Sequence, residues 1–74
     1  MPTHVFDDVF DATIRPARRL GAKLFSVEVS VGYRGGGFTG SSFTADGSTA
    51  KQAEVAALNM ARDAIVAGKI KRKE

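Results

Sequence analysis

The segment from Ala50 to Ala67 constrains this chain most, because its interior and both of its ends fit a single conformation. Thr49 followed three residues later by Gln52 is a capping-box pair, in which a side-chain oxygen satisfies an N–H of the first helical turn,. Gly68 is the matching stop, a residue free to take positive φ, with Lys69, Lys71 and Arg72 near the negative end of the helix dipole,. The spacing predicts a helix over 50–67. At 100° per residue, Ala50, Ala53, Ala56, Ala57, Met60, Ala61, Ala64 and Ala67 fall on one face narrower than half the circumference,. A stripe of side chains this small lets the helix axis lie close to whatever it covers. On the other side Lys51, Val55, Leu58, Arg62 and Val66 recur at intervals of four, three, four and four, which sets three apolar side chains where water is expected,. Either an N-terminal segment folds over that flank or a partner docks on it, and Val55, Leu58, Arg62 and Val66 are the candidate partner interface.

The helix needs a surface to cover, and the chain supplies one upstream. Phe25, Val27, Val29 and Val31 alternate with Ser26, Glu28 and Ser30, the two-residue period of a strand with one apolar and one wet face,. The glycines between Gly32 and Gly37 form a turn,. Phe38 to Ala45 returns as a second strand. Phe38 and Phe43 are an odd number of residues apart, so a bulge at Gly40 or Ser41-Ser42 is expected to bring both to one face,. The first fifteen residues fit two periods, and the expectation is a helical turn near Thr3 to Val9 followed by a strand from about Phe10 to Arg15. Pro16 ends that strand, and Ala17 to Lys23 forms a basic connector,. The class is α+β, a short antiparallel sheet of about three strands with a long C-terminal helix on one face.

Seventy-four residues make at most one domain, with residues 1–68 as its body and 69–74 as a basic tail,. There is no cysteine for a disulfide, and the single histidine, His4, cannot assemble a zinc site, so stability must come from packing or association,. No cofactor is implied. Asp7, Asp8 and Asp11 lack the spacing of a calcium loop, and no nucleophile has an evident base beside it; the expectation is a non-enzyme without a small-molecule substrate,. Gly35 to Gly40 satisfies G-x-G-x-x-G literally, but these glycines open a strand rather than the helix that would hold a pyrophosphate,. Apolar runs fall far short of the roughly 20 residues of a membrane span, and residues 1–10 lack the order of a signal peptide,. The chain reads as soluble and intracellular, cytoplasmic or nuclear. Its net charge of +3 is unevenly placed. Arg15, Arg18, Arg19 and Lys23 form one basic cluster and Lys69, Lys71, Arg72 and Lys73 another, an arrangement that attracts polyanions; the alternative is a solvated loop and a solubilising tail,.

The stretch from Leu24 to Ile65 resembles the C-terminal two-thirds of a double-stranded RNA-binding domain. The likeness is carried by Phe25-Ser-Val-Glu-Val-Ser-Val31, by Gly47-Ser-Thr-Ala-Lys-Gln-Ala-Glu-Val-Ala-Ala57 and by Ala61; Phe38-Thr-Gly-Ser-Ser-Phe43 is most like plant members. The family has an α-β-β-β-α order, so the resemblance implies a first helix that is here short or missing. It also implies duplex RNA as partner, gripped by shape through phosphates rather than by sequence. Members that bind strongly carry Lys-Lys-x-Ala-Lys where this chain has Ala50, Lys51, Gln52, Ala53 and Glu54, so of those lysines only Lys51 stands. The usual Gly-Pro-x-His of the connector is replaced by Pro16-Ala-Arg-Arg-Leu-Gly21, and Arg62 takes the place of a buried leucine. The implied RNA contacts are Thr49 and Lys51 at the helix start, with Arg18, Arg19, Lys23 and the Lys69, Lys71, Arg72, Lys73 tail adding sequence-independent attraction,. The departures leave a competing expectation, a protein-interaction module of the same fold that pairs with a second copy or a related domain.

Overall fold

The computed structural model describes residues 3–70. Five strands, β1 (Thr3–Val5), β2 (Phe10–Ile14), β3 (Arg18–Gly21), β4 (Leu24–Tyr33) and β5 (Phe38–Gly47), form one antiparallel sheet, and the helix α1 (Ala50–Val66) covers one face. β4 is the centre because its alternation is strongest: Val27, Val29 and Val31 are buried, and Ser26, Glu28 and Ser30 between them are only half-buried. β5 pairs along one edge of β4, setting Ala45 opposite Val27 and Phe43 opposite Val29. β2 and β3 share the other edge, β2 against the end of β4 and β3 against its beginning, both antiparallel to it. They are one strand interrupted at Pro16, whose missing N–H cannot enter the ladder. Before the break the Arg15 N–H donates to the Glu28 carbonyl at 3.0 Å; after it, pairing resumes with Arg18 opposite Ser26.

Two expectations fail at the N-terminal side. Thr3 to Val9 holds no helical turn: β1 pairs with the outer edge of β2, His4 opposite Ala12, and the chain turns where Asp7 Oδ1 accepts from the N–H groups of Val9 and Phe10 at 2.8 and 2.9 Å. The unpaired edge of β2 and that aspartate turn outweigh a helical period with few residues to propagate it. The segment from Ala17 to Lys23 is likewise not a bare connector, since β3 occupies most of it. The sheet therefore has five strands rather than about three, and among the described residues α1 is the only helix and is not long and apolar enough to cross a membrane.

The helix ends behave as their residues dictate. Thr49 takes an extended backbone, φ −133° and ψ 161°, and its Oγ1 accepts from the Gln52 N–H at 3.1 Å. The reciprocal bond is displaced by one residue, because Gln52 Oε1 accepts from the Ser48 N–H and hydroxyl. At the far end Gly68 adopts φ +75°, its N–H donates to the Ile65 carbonyl at 3.1 Å, and the Lys69 N–H donates to the Ala64 carbonyl at 2.9 Å, the paired closure of a Schellman motif,. Helical residues stop at Val66, one short of the expected Ala67, which is the C-cap.

The buried stripe is narrower than the alanine pattern suggests. Ala53, Ala57, Ala61 and Ala64 are buried, but Ala50, Met60 and Ala67 are exposed, and Ile65 is buried in their stead. The helix is turned about its axis so that Ile65, the larger of the two aliphatic groups near its end, enters the core, where it contributes more apolar area than an alanine,. Phe10, Ala12 and Ile14 of β2 and Ile70 beyond the helix complete that core.

Where β5 runs into the helix, a glycine is required for space rather than for φ. A Cβ built on Gly47 would lie 2.6 Å from the Ala53 nitrogen and 2.9 Å from the Gln52 Cβ. Replacing Gly47→Ala pushes the first turn of α1 off the sheet and is expected to cost about 1–3 kcal/mol, the usual range for overpacking, read as a lower midpoint in urea denaturation; an unchanged midpoint contradicts this packing.

Candidate nucleic-acid interface

Strand register decides which cations meet. Arg19 lies opposite Phe25, Phe25 lies opposite Gly47, and Gly47 is two residues from the N-cap Thr49. The tip of the β3–β4 hairpin and the N-terminus of α1 are thus brought to one end of the molecule, and Arg18, Arg19, Lys23, Thr49 and Lys51 gather there although the sequence separates them widely.

Within that end the groups differ in aim. Neighbouring residues of a strand point to opposite faces, so Arg19, opposite Phe25, belongs to the helix side, whereas Arg18, opposite Ser26, belongs to the polar side. There Arg18 lines a shallow hollow with Ser26, Thr44 and the Arg15–Glu28 ion pair, whose Nε–Oε1 distance is 3.1 Å. Arg19 is steadied by its own Nε donating to the Gly21 carbonyl at 3.1 Å. Lys23 stands exposed in the turn between β3 and β4. Lys51 reaches the groove at the Pro16 break, with its Nζ 3.3 Å from Glu54 Oε2. Lys51 is 79% exposed although Glu54 is half-buried, so the ammonium stays available to a stronger anion,.

The field at this end is positive. The first turn of α1 holds no acidic residue to offset its dipole, and the Thr49 hydroxyl satisfies one of its N–H groups, that of Gln52,. Arg15 is paired with Glu28 and Lys51 with Glu54, and Asp46, opposite Ser26, is the remaining acid, so the cations Arg15, Arg18, Arg19, Lys23 and Lys51 exceed the acids at this end by two. Backbone N–H groups and three side-chain cations on one edge suit an extended anion such as a phosphate chain. Among the described residues no three His, Cys, Asp or Glu side chains approach closely enough to hold a metal ion.

The remaining sequence-derived residues go elsewhere. Lys69 follows the C-terminal end of α1, about 25 Å along the helix from Thr49 at 1.5 Å per residue,, so it does not join the cluster. Lys71, Arg72 and Lys73 lie outside the described residues. On the outer side of α1, Lys51, Val55, Leu58 and Arg62 line a groove of about 490 Å³ whose opposite wall is His4, Phe6 and Ile14. The N-terminal hairpin thus flanks the apolar stripe without closing over it: Leu58 is half-buried, and Val55 remains 42% exposed. Val66, 81% exposed, stands apart from this groove. Arg15 looks like a fourth cation of the first cluster in the linear chain, and only the pairing of β2 with β4 reveals that Glu28 holds it.

No protein-family model, no curated protein and no solved structure matches the chain.

Because the Thr49 oxygen is engaged with the helix, its first duty is structural. Thr49→Ala is expected to lower stability by about 1 kcal/mol, and Thr49→Ser to retain most of it, as measured by thermal or urea denaturation. Equal stabilities for the alanine, serine and parent proteins would contradict the capping geometry.

Proposed function

We propose that this chain is a double-stranded RNA-binding module that grips phosphates at the end where α1 begins. The observation that carries the reading is the convergence of Arg19, Lys23 and Lys51 beside the uncompensated N-terminus of α1, with Arg18 at the rim. The order of the last three sheet positions and the helix, the buried Val27–Val29–Val31 face and the alanine seam support it as well, since they agree with the resemblance in Leu24 to Ile65. Such a surface contacts backbone rather than base edges, so recognition is by the shape of the duplex and is independent of sequence. Few phosphates are engaged. Affinity is modest and salt-sensitive, each neutralised phosphate contributing about 0.9 to the slope of log K against log salt for a duplex.

The reading is tested by gel shift with duplex RNA, duplex DNA and single strands at two salt concentrations. Duplex RNA is expected to bind best and to weaken as salt rises; equal affinity for every nucleic acid, or none, ends the proposal. Lys51→Ala and Arg19→Ala are each expected to reduce the salt slope by about one. Arg18→Ala, on the other side of the sheet, changes it less, and Lys69→Ala leaves it unaltered.

A further inference from the structure

The groove-lining side of α1 continues past Lys51 in a charge pattern of its own. Glu54, Leu58 and Arg62 follow one another at intervals of four, so they form one strip along the helix,. Acid and base lie at equal distances from the leucine. Arg62 is exposed and makes no ion pair with any described residue, while Glu54 keeps 29% of its side chain open and, among the described residues, pairs with the exposed Lys51. Beside the strip Val55 is 42% exposed, and beyond it lies the open groove against His4 and Phe6.

A strip with this symmetry distinguishes between the ways two copies can meet. Side by side in parallel, Glu54 would face Glu54 and Arg62 would face Arg62, which is repulsive at both positions. Reversed about a two-fold axis through Leu58, each Glu54 faces the Arg62 of the second copy, so the attractive pair forms twice from one surface patch, as an isologous contact requires. We propose that this chain forms an antiparallel homodimer in which α1 crosses its copy at Leu58, with two reciprocal Glu54–Arg62 ion pairs flanking a leucine–leucine contact. Val55 packs on the aliphatic stem of the opposing Arg62, and the groove receives the neighbouring side chains of the copy. Lys51 lies at one end of this groove and is paired with Glu54, so the dimer contact and the phosphate-binding end meet at that ion pair, while the crossing at Leu58 lies about two turns further along the helix,. A single helix crossing covers less than the roughly 800 Å² per partner of a standard interface, which makes the dimer reversible.

The charges provide the test. In sedimentation velocity over a wide concentration range, the intact chain is expected to pass from monomer to dimer. Glu54→Arg alone and Arg62→Glu alone each weaken self-association about tenfold or more, because each creates two like-charge contacts. The double variant Glu54→Arg with Arg62→Glu restores the dimer, since the exchange rebuilds the opposite-charge pairs. Circular dichroism confirms that each variant is helical, and Arg62→Gln, which removes a charge without adding repulsion, weakens the dimer in the same direction if a reversal fails to fold. A chain that stays monomeric at every concentration overturns the proposal. So does a folded double variant that remains monomeric, or a dimer indifferent to both single reversals.

Discussion

The structure depends on the close approach of α1 to β4 and β5. Ala53, Ala57 and Ala61 are fully buried against a sheet face whose centre is Val27, Val29 and Val31, and none of these helix residues has an atom beyond Cβ. Small groups bury little area each, so the seam stabilises through dense contact over its length rather than through a few large anchors. Bulk comes from the sheet and its margins. Phe10 is fully buried and stacks on Tyr33 at a centroid distance of 5.7 Å, while Phe6, Phe25, Phe43 and Leu58 pack around the rim. A thin seam with a thick rim leaves almost no tolerance at the seam, as the atoms around Gly47 show.

That same approach places the charges. A helix lying against β5 begins where β5 ends, and β5 ends at the same end of β4 as the β3–β4 hairpin, so the positive terminus of α1 and the cations of β3 share one end of the sheet without any direct bond between them. Pro16 contributes by interrupting the edge strand next to the first turn of the helix, which opens the groove that Lys51 enters. The clustering is thus a product of topology.

The elements whose residues alternate or carry caps were legible from the chain alone. Thr49 and Gly68 mark the helix to within a residue, and Phe25 to Val31 forms the heart of β4. The expected bulge exists too, but its effect differs: two residues, Thr39 and Gly40, separate the pairings Gly32–Phe38 and Val31–Ser41. An even insertion keeps the parity of the strand, so Phe38 stays on the face away from Phe43 and is 61% exposed,. β1 and β3 were hidden because every residue of both is exposed, which leaves no apolar alternation to read; they are strands by virtue of the edges they pair with. Ile65 replacing Met60 in the core is a matter of helix rotation, which a wide stripe of alanines does not determine. As for the site, the residue types were visible in the sequence, whereas Arg19, Lys23 and Lys51 sharing an end, Arg18 turning to the other face, and Glu28 holding Arg15 all follow from register.

One small device in β5 affects how the hairpin opens. The Thr39 hydroxyl donates to the Val31 carbonyl at 2.7 Å and accepts from the Ser41 N–H at 3.2 Å, taking the place of main-chain partners at the offset. Outside this side-chain staple lie the glycine turn and the Tyr33–Gly37 bond; inside it lie the pairings that carry the core. Fraying that starts at the glycines meets this pair of side-chain hydrogen bonds before it reaches Val31, an arrangement that favours opening of the tip separately from the body of the hairpin,.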